Sequence, residues 1–189
     1  MPEEASRIGR PSSPHGPEPE PAPVRHAVHA ADTPAAQRHL ADESAPGVGF
    51  DLVGDGSQDR WRWVTPRAAF LVWDGGGTGR VTSGRQLFGN STWWVMWRNG
   101  YEPLAALDDD RDGTLAGREL AGLAVWHDRD VDGISSPGEV RPVADWGITG
   151  IACAPSTATA GCPAHPAGIR FRDGGTRPSF DWITARAAD

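Results

Sequence analysis

The sequence predicts an α+β fold, in which short strands and short helices form a small irregular domain around two acidic loops. Three observations lead to this prediction. A Pro- and Ala-rich stretch precedes the first apolar run, short apolar runs alternate with Gly, Asp and Pro, and two acidic segments repeat one spacing. With 189 residues, of which 38% are hydrophobic, the chain can build one modest core.

The first 46 residues differ in composition from the rest. They are rich in Pro, Ala, Glu, Ser and His, and such a segment cannot bury enough apolar surface to offset the entropy lost on ordering. We therefore expect a disordered tail over residues 1–46 and one folded domain over residues 47–189.

Local patterns predict the elements of this domain. Short strands are expected around residues 50–52, 61–64 and 70–73, where aromatic and β-branched residues lie between turn residues. A short helix is expected over 101–107, because Pro103 is tolerated in a first helical turn. A second is expected over 120–126, where Leu120, Leu123 and Trp126 recur at helical spacing.

The C-terminal part predicts strands. Apolar residues run or alternate over 148–153 and 169–171, and Asp173-Gly-Gly175 offers a turn into the apolar residues 180–183. This pattern predicts a terminal β-hairpin.

Charge and hydropathy exclude some partners. The net charge is −7, and the acidic residues cluster, which argues against binding to the phosphates of a nucleic acid. No apolar stretch reaches the roughly 18 residues of a membrane span, and the N-terminus lacks the basic-then-apolar pattern of a secretory signal. The expected partner is a cation.

Two cysteines, Cys153 and Cys162, flank a stretch of small residues. They could form a disulfide in an oxidising compartment or remain free thiols. A zinc site has too few ligands, because His165 is the nearest third candidate.

The first acidic loop spans residues 108–119 and has the ligand spacing of an EF-hand. Carboxylates fall at its first, third, fifth and twelfth positions, and Gly113 stands at the sixth, where the turn needs a positive φ. Thr114 would offer its carbonyl at the seventh position. The candidate calcium ligands are Asp108, Asp110, Asp112, Thr114 and Glu119.

The second loop, residues 128–139, repeats this spacing with Gly133 at the turn. It departs from the pattern at Ser135, where an apolar residue usually follows the carbonyl ligand, and Pro137 and Gly138 disfavour an exiting helix. The candidate ligands are Asp128, Asp130, Asp132, Ile134 and Glu139.

Eight residues, Leu120 to His127, separate the two loops. They would span about 12 Å as a helix, which is too short for the two helices and the linker of a conventional EF-hand pair. We therefore expect one helix to serve both loops.

Two earlier segments are incomplete versions of the same loop. Residues 51–62 keep Asp51, Asp55 and Gly56, with Arg62 in place of the final acid, and Asp59 could contribute. Residues 74–86 keep one acid, Asp74. Both segments are interpreted first as turns.

Several short motifs together resemble a module of bacterial RTX-type hemolysins, adhesins and related hypothetical proteins, over about residues 48–150. The motifs are Phe50-Asp-Leu-x-Gly-Asp-Gly56, Leu71-Val-x-Asp74, Gln86-Leu-Phe-Gly89, Gly100-Tyr-Glu-x-Leu104, Leu107-Asp-x-Asp-x-Asp-Gly113, Val125-Trp-x-Asp128 and Asp132-Gly-Ile-Ser135.

This resemblance implies calcium binding on an exported, multi-loop scaffold. The sequence departs from the family at Gln86, where a Glu is frequent, and lacks the glycine-rich nonapeptides of RTX proteins. Some relatives cleave themselves at an Asp-Pro bond, but this sequence contains no Asp-Pro dipeptide, so we expect no such activity.

Three functions follow from the sequence. The first is calcium binding in a structural role, without enzymatic activity. The second is a calcium-ordered module that docks another protein through the aromatic strip of Trp93, Trp94 and Trp97. The third is a calcium-stabilised hydrolase, for which Cys162 and His165 are the one candidate pair. The simpler expectation for the aromatic strip is that it is buried in the core. The simpler expectation for the Cys-His pair is that it has no catalytic role.

Overall fold

The computed structural model describes residues 24–30, 47–159 and 162–187. Eleven strands are present in these residues. They are β1 (Val24–Ala30), β2 (Val48–Gly49), β3 (Arg60–Trp61), β4 (Ala68–Trp73), β5 (Thr114–Ala116), β6 (Leu123–Trp126), β7 (Val140–Pro142), β8 (Ile148–Ala152), β9 (Thr157–Thr159), β10 (Cys162–Phe171) and β11 (Thr176–Thr184).

Nine of these strands form one antiparallel sheet, in the order β5-β8-β10-β11-β1-β4-β6-β7, with β9 paired to β10. The strands β2 and β3 form a separate pair. β10 and β11 make a hairpin around the turn at residues 173–175, with Ile169 opposite Arg177. The sheet thus ends at β5 on one side and at β7 on the other.

Helical structure is scarce in the described residues. The α-helix α1 covers Tyr101–Ala105, and four single turns of 3₁₀ helix cover Gly84–Gln86, Thr92–Trp94, Gly117–Leu120 and Val143–Trp146. No helix in the described part of the chain is long and apolar enough to cross a bilayer.

The sheet separates two buried apolar clusters. Along β4, Phe70 and Val72 belong to one cluster while Leu71 belongs to the other, as the alternation of side chains across a strand requires. We call them the aromatic core, which contains Phe50, Trp63, Phe70 and Trp126, and the aliphatic core, which contains Leu104, Leu115, Leu123 and Ile151.

Trp63 lies at the centre of the aromatic core. Its ring centroid is 5.3 Å from that of Phe50, 5.0 Å from that of Phe70 and 5.7 Å from that of Trp126, distances at which aromatic rings attract one another beyond simple burial. The expected aromatic strip is divided: Trp93 packs on Trp73 at 5.5 Å, whereas Trp94 is 74% exposed.

The predicted α+β class is wrong, because the described residues form a β-rich fold with one short α-helix. The helix expected over 120–126 is also wrong. Gly122, with φ +81°, ends the preceding turn, and residues 123–126 form β6. All four side chains of β6 are buried, so both faces are apolar and no period-two pattern marks the strand. A strand, and not a shared helix, connects the two acidic loops.

The strand β1 falls inside residues 1–46, for which composition predicts disorder. Its backbone pairs with β11 on one side and β4 on the other. The rest of that segment lies outside the described residues. Cys153 and Cys162 are both free thiols. Of the two alternatives for these cysteines, the structure therefore has the free thiols and not the disulfide.

Candidate metal centre

The first acidic loop follows α1, contains β5 and is closed by backbone N–H groups that donate to its carboxylates. The N–H of Gly113 donates to Asp108 Oδ2 at 2.9 Å, and that of Thr114 donates to Asp112 Oδ1 at 2.7 Å. Glu119 accepts from the N–H of Asp109 at 2.8 Å and of Ala116 at 3.0 Å. These bonds bend the segment so that its acids converge.

The second loop connects β6 to β7 and repeats each of these bonds. The N–H of Gly133 donates to Asp128 Oδ2 at 2.9 Å, and that of Ile134 donates to Asp132 Oδ1 at 2.7 Å. Both oxygens of Glu139 accept an N–H at 3.1 Å, one from Arg129 and one from Ser136. The spacing in the sequence therefore specifies the same local conformation twice.

The backbone of the two loops agrees as well. The fourth position is left-handed in both, with φ +60° at Arg111 and +61° at Val131, and the sixth is Gly with φ +87° at Gly113 and +74° at Gly133. Positive φ is costly for a β-branched residue. Val131 nevertheless adopts it at the same loop position as Arg111, and its side chain packs against the aromatic core.

Six of the ten candidate ligands converge into two groups. The carboxylates of Asp108, Asp110 and Asp112 each place an oxygen within 4.8 Å of the others, and those of Asp128, Asp130 and Glu139 do the same. Glu119 and Asp132 are held beside these groups by the bonds given above. The carbonyl of Ile134 accepts the N–H of Ser136 at 2.8 Å, and Thr114 lies in β5 opposite Ala152.

The two groups differ in their environment. Asp110 and Asp112 are exposed, and the N–H of Ala116 lowers the pKa of Glu119. Asp128 and Glu139 are buried, with 1% and 3% exposure, and burial raises the pKa of Asp128. The first loop thus presents most of its charge to solvent, while the second buries Asp128 and Glu139 and leaves Asp130 and Asp132 exposed.

One oxygen of the first loop stands out. Asp108 Oδ1 is buried and has no hydrogen-bond partner among the described residues. Leaving a buried carboxylate oxygen unpaired is costly. A cation among Asp108, Asp110 and Asp112 would remove this cost, so the residues present fit an oxygen-liganded metal ion.

The incomplete segments at Asp51 and Asp74 fold into the same turn. Asp51 accepts the N–H groups of Gly54, Asp55 and Gly56, at 2.8, 3.0 and 3.1 Å. Asp74 accepts those of Thr78 and Gly79, both at 2.8 Å.

In these two segments, protein groups pair with the oxygens. Arg186 forms an ion pair with Asp59 at 2.6 Å. The amide nitrogen of Gln86 donates to the carbonyl of Arg80 at 2.9 Å, and its oxygen accepts the N–H of Thr82 at 2.8 Å. The turn is therefore retained where the acids are missing, and side-chain donors form ion pairs or hydrogen bonds with its oxygens.

Two residues outside the predicted ligand set support the second loop. The indole N–H of Trp63 donates to Asp128 Oδ2 at 2.6 Å. The hydroxyl of Ser135 accepts the N–H of Val81 at 2.8 Å and donates to its carbonyl at 3.1 Å. Ser135 was visible as a departure from the loop pattern, but no local signal indicates Trp63, which is 65 positions from Asp128.

The candidate catalytic pair is not assembled. Cys162 and His165 lie three positions apart in β10, and residues at odd spacing in a strand point to opposite faces. The Nδ1 atom of His165 accepts the N–H of Ala167 at 3.2 Å.

Comparison with known proteins places the chain in a family. It is similar to the iron-regulated protein FrpA of Neisseria meningitidis serogroup C, with 32% identity over 114 residues, which is 58% of this chain and 10% of that protein. The chain thus corresponds to about a tenth of that relative's length. Residues 39–174 match the SPM domain. The match covers well over half of the chain, which therefore belongs to the SPM domain family.

Proposed function

We propose that this domain binds two calcium ions, one in each acidic loop, and that the ions are part of its folded structure. The observation that carries the proposal is the buried, unpaired Oδ1 of Asp108 beside the carboxylates of Asp110 and Asp112. An oxygen in that position needs either a donor or a cation, and the two neighbouring carboxylates favour the cation.

The choice of calcium rests on the chemistry of the donors. The candidate side-chain ligands of both loops are carboxylates, which suit hard cations, whereas zinc and copper favour His and Cys. Calcium takes six to eight oxygens. The first loop offers three Asp carboxylates, both oxygens of Glu119 and the carbonyl of Thr114, which makes six.

Repulsion among the acids supports a structural role. In the first loop, the nearby cation Arg118 pairs with Asp109 at 3.3 Å, and Asp109 is not a candidate ligand. In the second loop, Arg129 lies 3.7 Å from Glu139 and is largely exposed, so solvent screens its charge. A divalent ion would compensate the charge that both loops bring together.

Titration calorimetry of the calcium-depleted protein tests the proposal. We expect two ions per chain for the wild type and one ion for Glu119→Gln or Glu139→Gln, since each change removes a bidentate ligand of one loop. Asp145→Asn is the matched control, because it removes an exposed carboxylate that pairs with Arg141 outside both loops, and it should still bind two ions. Absence of binding heat, together with no change in the protein on adding calcium, would contradict the proposal.

A second candidate function is a calcium-ordered interaction module. It is favoured by the exposure of Trp94 (74%), the last residue of the 3₁₀ turn Thr92–Trp94, and of Met96 (84%) on the loop that follows. Acrylamide quenching of tryptophan fluorescence, compared between wild type and Trp94→Ala with and without calcium, measures this exposure. A Trp94 signal protected in both states would count against this function.

A further inference from the structure

We infer that Trp63 is the positioning residue of the second loop, holding the Asp128 carboxylate in the orientation in which it receives the ion. This inference rests on the proposed calcium function and assigns a role to a residue outside the loop. The contact that carries it is the 2.6 Å hydrogen bond from the indole N–H to Asp128 Oδ2.

The hydrogen bonds of Asp128 are unequal. Oδ2 accepts two donors, the N–H of Gly133 at 2.9 Å and the indole of Trp63 at 2.6 Å. Oδ1 accepts one long bond, from the N–H of Asp132 at 3.2 Å. Two short bonds on Oδ2 fix the rotation of the carboxylate and leave Oδ1 as the oxygen with the greater free capacity for a cation.

Trp63 is itself buried and closely packed. It is 5% exposed and lies among the rings of Phe50, Phe70 and Trp126. A donor held in this way orients its acceptor without losing side-chain entropy on ion binding, which is the condition for preorganisation.

The first loop provides an internal comparison. Asp108 has the corresponding bond from Gly113, at 2.9 Å, but no side-chain donor to its Oδ2 is present among the described residues. The indole bond therefore distinguishes the second loop from the first, and removal of the indole should affect one ion and not the other.

The test is calcium calorimetry on Trp63→Phe, which keeps an aromatic ring and removes the N–H. We expect the second-loop dissociation constant to rise about 10- to 100-fold, as for other groups that orient metal ligands, with the first-loop constant unchanged. Trp61→Phe is the matched control, because its buried indole donates to the carbonyl of Phe50 at 3.0 Å and not to a carboxylate. It should leave both constants unchanged.

A second measurement does not depend on the variant folding. The indole proton of Trp63, assigned through its proximity to the rings of Phe50 and Phe70, should shift in the NMR spectrum as the second loop fills. Glu139→Gln should abolish that shift and Glu119→Gln should not. Equal second-loop affinity in Trp63→Phe, or an indole signal that ignores occupancy of the second loop, would overturn the inference. Absence of calcium binding by the wild type would instead overturn the proposed function.

Discussion

Cys153 illustrates how the first loop affects a residue behind it. Its thiol is buried, and its backbone N–H donates to the carbonyl of Gly113 at 3.0 Å. Burial, followed by the negative charge of Asp108, raises the pKa of this thiol to about 11. At pH 8 only about one thiol in a thousand would then be ionised, and the thiolate is the reactive form.

We therefore predict that iodoacetamide at pH 8, in EGTA, modifies Cys162 well before Cys153. Cys162 is only partly buried, whereas Cys153 is 4% exposed. The two adducts are separated by peptide mass spectrometry over time. Raising the pH towards 11 should accelerate the Cys153 reaction, and unfolding in guanidinium should make both thiols reactive. Equal rates in the native protein at pH 8 would contradict the prediction.

At the same scale, the sequence predicts the conformation of the loop residues better than their surroundings. The spacing of acids and Gly places Asp108 and Asp128 at equivalent positions, and both accept the N–H of the Gly five positions later. It does not show that Asp128 is buried and Asp108 partly exposed. Asp128 also accepts a hydrogen bond from Trp63, a distant residue, and only the tertiary fold brings the two together.

At the scale of secondary-structure elements, the sequence predicts an element correctly where neighbouring residues determine it. The helix expected at 101–107 corresponds to α1, since Pro103 and the Leu and Ala residues act locally. β6 was missed because its four buried residues carry no alternation and because Leu120, Leu123 and Trp126 match a helical spacing by coincidence. Burial on both faces of a sheet is a tertiary property, which a single sequence does not display.

The contact between the second loop and the segment 74–86 yields a prediction at this scale. The Ser135 hydroxyl satisfies the N–H of Val81, a residue that is 3% exposed. Ser135→Ala leaves this buried N–H without its acceptor, which should lower the free energy of unfolding by about 1 to 3 kcal/mol.

Urea denaturation in EGTA measures this change without a contribution from calcium. Ser156→Ala is the control, because Ser156 is exposed and the same hydroxyl is removed there; its effect should stay within about 0.5 kcal/mol. If the two variants had the same stability, the hydroxyl of Ser135 would not be what joins the two segments.

Across the whole molecule, the acidic loops lie at the two ends of the sheet. The first loop contains β5, and the second connects β6 to β7, with β5 and β7 at opposite ends of the strand order. The first loop borders the aliphatic core, which includes Leu115, while Val131 of the second packs on the aromatic core. Ions in both loops would therefore stabilise separate parts of one sheet.

This arrangement predicts additive stabilisation by calcium. At a free concentration of 100 times the dissociation constant, each ion contributes about 2.7 kcal/mol, so two ions should contribute about 5 kcal/mol. For a chain of 150 to 250 residues, each kcal/mol raises Tm by about 2 to 4 °C, which gives a rise of about 10 to 20 °C between EGTA and saturating calcium in scanning calorimetry.

Glu119→Gln and Glu139→Gln should each retain about half of the rise in Tm, because sites that share no ligand act independently, and the double variant should show none. Magnesium chloride at equal ionic strength separates specific binding from screening. A wild-type Tm that does not respond to calcium would mean that the ions are not part of the fold.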